Sequence, residues 1–180
     1  AIKLYRAILE IDPHHPVAEP VLYKLLECTD QAGVPGMEPD EPPPSQINAL
    51  HHLLQSRSVE NLATAEQACQ ELLQTYPHSD TILNTLGSVH YWQGQLVQAI
   101  HAFDMAIRIA PEHVDYYNNR GATYNSLGRF VQAIADFDRA IELQPDLADA
   151  YGNRGISFNA TGQFARAKND YEKAITLQPD

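Results

Sequence analysis

Two pairs of neighbouring histidines are the residues in this sequence of 180 amino acids that most suggest metal chemistry. His14–His15 and His51–His52 could each offer imidazole nitrogens, which are common ligands of transition metals. Neighbouring residues on a helix point about 100° apart, however, and no cysteine or third histidine joins either pair at ligand spacing. We therefore interpret these histidines as solvated, and we predict neither a metal site nor any other cofactor.

The nucleophilic side chains show no catalytic pattern either. No serine, threonine or cysteine lies in a motif that supplies a base, and the glycines form no phosphate-binding loop. Cys28 and Cys69 are the only cysteines and lack C-x-x-C spacing, so we expect two buried or half-buried thiols in a reducing compartment, the cytoplasm. The sequence therefore predicts a protein that is not an enzyme.

The charge balance narrows the class of partner. Lysine and arginine total 12 residues against 23 acidic residues, which gives a formal net charge of −11. A negative field repels phosphate backbones and anionic lipids, and no apolar run approaches the roughly 20 residues that cross a bilayer. We expect neither nucleic acid binding nor membrane insertion, and a neutral or basic protein or peptide suits this surface better.

The elements that would position any binding site are set by a repeat of 34 residues. Six columns of small, aromatic or proline residues recur at this spacing, which chance alone would not produce. The columns are Gly87, Gly121 and Gly155; Gly94, Gly128 and Gly162; Ala99, Ala133 and Ala167; Ala106, Ala140 and Ala174; Phe103, Phe137 and Tyr171; and Pro77, Pro111, Pro145 and Pro179.

Each column has a physical reason within a pair of antiparallel helices. In the middle copy, the absence of a side chain at Gly121 lets two helices approach closely, and the ring of Phe137 fills the space beside it. Gly128 lies between the helices, where a turn needs conformational freedom. Pro145 cannot continue the second helix, and Asp146 is placed to cap the next one.

The charged residues beside these columns receive two interpretations. Asp136 and Asp138 flank Phe137, and we interpret them as part of a solvated outer surface. Arg120 and Arg154 directly precede repeat glycines. We expect these arginines to bridge to acids on the neighbouring helix rather than to bind a ligand.

The middle copy resembles the signature of the tetratricopeptide repeat family. The residues that carry the resemblance are Tyr117, Gly121, Tyr124, Gly128, Ala133, Phe137, Ala140 and Pro145. The resemblance implies an all-α fold, an α-α superhelix or solenoid of antiparallel helix pairs. It also implies that the first helix of each pair lines a concave groove, because each repeat buries its apolar face against its neighbours.

The repeat register also predicts how the chain is organised. We expect a half repeat and a helix at 1–32, a proline- and glycine-rich acidic linker at 33–45, a degenerate repeat at 46–79, and good repeats at 80–113, 114–147 and 148–180. In the degenerate repeat Leu53 and Glu60 replace the two glycines, and we predict helices at Ser45–Ser56 and Glu60–Tyr76. Because the sequence starts without methionine inside a half repeat, we expect a piece of a longer protein.

Groove positions follow from the resemblance by register with the glycines. The candidate peptide-binding residues are Asn84, Ser88, Tyr91, Trp92, Asp115, Asn119, Asn125, Asp149, Asn153 and Asn159. Asparagine recurs among them at 34-residue spacing, and a carboxamide can pair with both the amide and the carbonyl of an extended peptide. Tolerance of asparagine on a wet helix face is the alternative. Trp92 could likewise anchor a ligand or pack against a neighbouring repeat.

Members of this family also include a carboxylate clamp that holds the C-terminal tails of chaperones. That clamp requires lysine and arginine in the groove, and the matching places here include Asn119, which fits, and Asp149, which would repel a carboxylate. We therefore expect no adaptor of the chaperone-tail type.

A scaffold that binds a peptide or protein segment in the groove is the leading functional hypothesis. Two alternatives remain open. The repeats could be the substrate-docking arm of a larger enzyme, since the sequence resembles, more weakly, the N-terminal repeats of bacterial O-linked N-acetylglucosamine transferase-like or sulfotransferase-linked proteins. The chain could also self-associate through uncapped repeat ends, which would hide the apolar face of the last helix.

Overall fold

The computed structural model of the protein describes residues 41–178, all of which belong to one unit, Asp40–Asp180. These residues form eight α-helices and no strand. The helices are α1 (Pro44–Ser56), α2 (Val59–Thr75), α3 (Asp80–Trp92), α4 (Leu96–Ile109), α5 (Val114–Ser126), α6 (Phe130–Leu143), α7 (Ala148–Ala160) and α8 (Phe164–Leu177). The predicted half repeat and helix at 1–32, most of the predicted linker, Cys28 and the first histidine pair lie outside the described residues.

The helices pack in consecutive pairs, and the predicted all-α solenoid is confirmed. Each helix contacts the next one along the chain, and the first helices of neighbouring pairs also contact each other: α1 with α3, α3 with α5, and α5 with α7. Within residues 41–178 the second helices make no such contact with one another. Because only the first helices approach one another, they form the inner side of the array and the second helices form the outer side.

Close approach within each pair depends on the glycine column. A Cβ added to Gly121 would lie 2.7 Å from Cε1 of Phe137, and one added to Gly87 would lie 2.6 Å from Cε1 of Phe103. Both rings are completely buried, so neither has room to move away. The predicted role of this column is therefore confirmed: the missing side chain makes space for a ring of the partner helix.

In the degenerate repeat the positions of the small and the large residue are reversed. Leu53 stands in the glycine column and Cys69 in the ring column, so the large residue has moved to the first helix and the small one to the second. Cys69 is a completely buried free thiol, and burial raises its pKa to about 12. The observed α1 and α2 differ from the predicted helices by at most one residue at each end.

The turns between paired helices use the left-handed backbone region. Gly94, Gly128 and Gly162 have φ of +77°, +70° and +76°, as the turn prediction requires. Between α1 and α2 the residue with positive φ is Arg57, at 48°.

The predicted cap at Asp146 is wrong. The residue before α7 is Leu147, whose side chain makes no cap hydrogen bond. The cap position lies one residue later than expected, because the turn is closed by the amide of Leu147, which donates to the carbonyl of Gln144. In the first good repeat that same position holds Ser79, whose hydroxyl accepts a hydrogen bond from the amide of Ile82.

Two arginines bridge to acids on the neighbouring helix, as predicted, and each also reaches the preceding repeat. Arg120 on α5 donates from Nε and Nη2 to both carboxylate oxygens of Asp136 on α6, at 2.8 and 2.6 Å, and from Nη1 to Asp104 on α4 at 2.5 Å. Arg154 repeats this arrangement with Asp170 and Asp138. Each guanidinium therefore links its own repeat to the preceding one.

The interpretation of Asp136 as solvated surface is wrong, whereas the Asp138 side chain remains 45% exposed. Asp136 is 6% exposed, and both carboxylates bind an arginine. The spacing shows correctly that Asp136 and Asp138 lie on a different face of α6 from Phe137. It does not show that an arginine from the adjacent first helix reaches them.

Candidate functional site

The inner side of the array contains a cavity of about 450 Å³ between α3, α5 and α7. Six of the ten predicted groove residues line it: Ser88, Tyr91, Trp92, Asn119, Asp149 and Asn153. Three further residues, Phe103, Asn118 and Ala122, complete the lining. The cavity thus combines amide, hydroxyl and aromatic groups from three successive first helices.

Pairs of asparagines connect these first helices across the cavity. Nδ2 of Asn119 donates to Oδ1 of Asn84 at 3.0 Å, and Nδ2 of Asn153 donates to Oδ1 of Asn118 at 3.3 Å. In each pair the later helix donates and the earlier helix accepts. Within the described residues, the amide nitrogens of Asn84 and Asn118 have no hydrogen-bond acceptor, and Asn118 lines the cavity, where a ligand carbonyl could use its donors.

Sequence reasoning identified this arrangement only in part. It selected Asn119 and Asn153, which share a column, but the bonded partners are 35 residues apart. Asn118 was missed, although its place 34 residues after Asn84 was a usable signal. In the third repeat this second column holds Gly152, where the series of pairs ends.

Asn125 and Asn159 share a column but not an environment. Nδ2 of Asn125 donates to the carbonyl of Asn153 at 3.0 Å, and its Oδ1 accepts a hydrogen bond from Ser157 at 2.6 Å. Asn125 therefore ties α5 to α7 with both ends of its carboxamide. Asn159 is exposed and does not line the cavity.

An aromatic cluster forms one end of the cavity. The rings of Tyr91 and Trp92 meet edge to face, with centroids 5.0 Å apart. The guanidinium of Arg57 lies 3.7 Å from the centroid of the Trp92 ring, a cation–π contact with the degenerate repeat. Trp92 nevertheless remains 43% exposed. The tryptophan thus packs against a neighbouring repeat and also presents a face to the cavity.

The charges around the cavity are acidic. Asp149 lines it, and no lysine, arginine or histidine does. Asp115 is exposed outside the cavity lining, with its carboxylate 4.0 Å from Nδ1 of His113. The local field therefore opposes anionic ligands and leaves the amide groups as the main polar contacts.

The described residues contain neither a cluster of metal ligands nor a helix suited to cross a membrane. His51 and His52 are both exposed. Across residues 41–178 no three histidine, cysteine, aspartate or glutamate residues lie together as metal ligands would. None of the helices between 41 and 178 has the length and apolar character needed to cross a membrane.

Solved structures resemble this arrangement of helices. The first tetratricopeptide repeat domain of Spaghetti (RPAP3), bound to the HSP90 peptide SRMEEVD, is 28% identical, with a TM-score of 0.56 over 56% of this chain and 80% of that one. The tetratricopeptide repeat domain of Arabidopsis OM64 is 26% identical, with a TM-score of 0.55 over 56% and 84%. MamA, at 20% identity and a TM-score of 0.62 over 98% and 85%, shows likeness of fold alone.

Comparison with curated protein sequences gave no significant match. The family model of the tetratricopeptide repeat matches residues 114–147 and 148–180. These two segments contain the helix pairs α5–α6 and α7–α8, with their glycine, alanine and aromatic columns in the expected register. The family match identifies residues 114–147 and 148–180 as tetratricopeptide repeats, and the chain is similar in fold to solved structures of such repeats.

Proposed function

We propose that this protein is a non-catalytic scaffold that holds an extended polypeptide segment in the cavity between α3, α5 and α7. The observation that supports this most is the pairing of asparagines across successive first helices, Asn84 with Asn119 and Asn118 with Asn153. Three of these asparagines, Asn118, Asn119 and Asn153, line the cavity together with Trp92. A peptide backbone offers carbonyl acceptors at regular intervals, and an exposed tryptophan is a common anchor at interfaces.

The preferred ligand is neutral or basic. Asp149 is the charged residue in the cavity lining, and the chain as a whole has a net charge of −11. The peptide held by the Spaghetti (RPAP3) domain, SRMEEVD, carries three acidic residues and a terminal carboxylate. That ligand would meet Asp149 here without a lysine or arginine in the cavity to neutralise it. We also propose a cytoplasmic location, which the buried free thiol of Cys69 suits.

The test uses two peptides and two variants. The probes are SRMEEVD and the same peptide with lysine in place of its acids and an amidated end. We expect the basic peptide to bind and SRMEEVD not to bind in isothermal titration calorimetry. Asn119→Ala combined with Asn153→Ala should weaken binding of the basic peptide by about tenfold, roughly 1.4 kcal/mol, through loss of amide contacts.

Asn169→Ala is the matched control, because Asn169 is an exposed asparagine on the second helix α8. It should leave affinity unchanged. Equal affinity of the double variant and the unmodified protein would rule out the asparagine pairs as the binding surface. Tighter binding of SRMEEVD than of the basic peptide would overturn the proposed ligand charge.

We further propose self-association through the face of α8 that corresponds to the contacts of α4 and α6 with the following repeat. Glu172 has the register of Asp104 and Asp138, each of which receives an arginine from the repeat that follows it. Beside it, Phe164 and Ile175 are each 67% exposed. The helix α8 thus carries an acidic residue and exposed apolar residues, and the acidic residue has the register at which α4 and α6 contact the next repeat.

A further inference from the structure

A second cavity lies on the outer side of the array, away from the asparagine pairs. It has a volume of about 600 Å³ and is bounded by α2, α3 and α4. Its walls are mainly apolar and include Leu73 from α2, Leu83 and Leu86 from α3, and Met105 from α4. Leu83 is 5% exposed, so the floor of this outer cavity belongs to the buried core.

The repeat register explains why the outer cavity exists. Five of its lining residues are Leu83, Leu86, His90, Ala102 and Met105. The residues 34 positions later are Tyr117, Arg120, Tyr124, Asp136 and Arg139. At every one of these five positions the first good repeat has a less polar or smaller residue than the second. The first repeat therefore leaves open part of the space that the second repeat fills with these side chains, although His101 lies in the lining where the second repeat has Ala135.

The following two repeats show what occupies that space. The guanidinium of Arg120 lies 5.8 Å from the centroid of the Tyr117 ring and binds Asp136. In the third repeat the guanidinium of Arg154 lies 5.5 Å from the centroids of the Tyr151 and Phe158 rings. In both repeats aromatic rings of the chain itself fill the outer surface beside the arginine. The first repeat has no ring of its own at either position, other than the smaller imidazole of His90.

The charges of the lining restrict what could take the place of those rings. No aspartate, glutamate, lysine or arginine lines the outer cavity. Ala102 stands where Asp136 holds a guanidinium, so an inserted cation would be buried without a partner, which is costly. An inserted anion would meet only the imidazoles of His90 and His101 in the lining, with no lysine or arginine, in a chain of net charge −11. The complementary group is therefore uncharged.

One polar group of the outer cavity is positioned by its neighbours. Nε2 of Gln93 donates to Oε2 of Glu66 at 2.8 Å, which directs the carbonyl oxygen of Gln93 towards Nδ1 of His90, 3.4 Å away. In this arrangement Nδ1 of the neutral imidazole carries the proton, and Nε2 is left as an acceptor. An indole N–H or a phenol O–H could donate to it while the attached ring covers the leucines.

We propose that this outer cavity binds an uncharged aromatic side chain, tryptophan or tyrosine, presented by a protein partner. The ring replaces the tyrosine that the second and third repeats supply from their own sequence, and its N–H or O–H group donates to His90. This contact is separate from the groove on the inner side, so the two faces of the array can hold different segments.

The experiment titrates N-acetyl-L-tryptophanamide into the protein and follows the methyl resonances of leucine and methionine by NMR. We expect saturable shifts confined to Leu73, Leu83, Leu86 and Met105, with a Kd on the order of 1–10 mM for a single anchoring residue. N-acetyl-L-leucinamide and N-acetyl-L-lysinamide are the controls for ring and charge. Both should bind at least about fivefold more weakly.

Two variants fill the outer cavity with the side chains that the second repeat has at the same positions. His90→Tyr restores the ring of the second repeat, and Leu86→Arg with Ala102→Asp restores its ion pair. Thermal unfolding should show that both fold, and each should weaken binding of N-acetyl-L-tryptophanamide about tenfold. Asn119→Ala with Asn153→Ala should leave this binding unchanged. Equal binding of the leucine amide, unchanged binding in both filled variants, or the absence of saturable shifts would each overturn the proposal.

Discussion

Two glycines on different first helices of the array can have opposite effects on stability, because their surroundings differ. Gly121 faces a completely buried ring, Phe137, whose Cε1 would lie 2.7 Å from an added Cβ. Gly152 lies inside α7 with no atom within 4 Å of such a Cβ, and its φ is not positive. The first glycine is required by packing, whereas the second costs conformational entropy without a packing reason.

We therefore predict opposite outcomes for two alanine substitutions. Gly152→Ala should raise the free energy of unfolding by about 0.5–1 kcal/mol, because alanine restricts the unfolded chain and fits the helix. Gly121→Ala should lower it by about 1–3 kcal/mol, because the Phe137 ring has to move within a close-packed core. Urea denaturation of both variants measures the difference. A loss of stability in Gly152→Ala would contradict the open space at that position.

At the scale of elements, the arginine bridges connect three helices each. Arg120 on α5 reaches α6 through Asp136 and α4 through Asp104. Asp136 is 6% exposed, and its charge depends on the arginine for compensation. A buried ion pair contributes little compared with an apolar pair, but removing only one partner leaves a costly charge. The first good repeat shows the apolar alternative, with Leu86 and Ala102 at the corresponding positions.

This comparison predicts a non-additive pair of substitutions. Arg120→Leu alone should lower the free energy of unfolding by about 3 kcal/mol, because Asp136 becomes an unpaired buried carboxylate. Adding Asp136→Ala reproduces the combination found in the first good repeat and should recover most of that loss. Chemical denaturation of the two single variants and the double variant gives the coupling energy. Equal losses in Arg120→Leu and the double variant would show that the ion pair does not couple these positions.

At the scale of the whole molecule, each pair of helices depends on its neighbours, and the last described pair, α7 and α8, shows this. The ring column is completely buried at Phe103 and Phe137, but Tyr171 on α8 is 37% exposed. The carboxylate of the adjacent Glu172 lies 3.7 Å from the ammonium of Lys168, on the same helix. This apolar and acidic face corresponds to the surface that the following repeat covers on α4 and α6, and the proposed self-association rests on that correspondence.

We predict that self-association depends on this face. Light scattering across a concentration series should show a rising mass, and Ile175→Glu should keep the protein monomeric by placing a charge in the contact. Val131→Glu is the matched control, because Val131 is also a highly exposed aliphatic residue, at 77%, but lies on α6. A monomer at every concentration, or equal effects of the two substitutions, would contradict the assignment of the contact to α8.

The sequence was sufficient for most of the architecture, because the packing within a helix pair is encoded at fixed spacing. The glycine column, the ring column and the positive-φ turns follow directly from the 34-residue register. Contacts between different repeats were harder to predict from the sequence. The burial of Asp136 depends on an arginine 16 residues earlier, and the pairing of Asn84 with Asn119 departs from the register by one residue. Spacing alone shows which residues share a helix face, but not which side chain crosses to the next helix.

The absence of an arginine bridge at the first good repeat has a consequence for how this surface can change. A substitution at Arg120 or Arg154 leaves acidic groups without their partner, so these positions resist replacement one at a time. At Leu86 and Ala102 no charge depends on either residue. Single substitutions at these two positions therefore leave no buried charge without a partner. This junction is where the outer surface of the array is freest to acquire a new specificity.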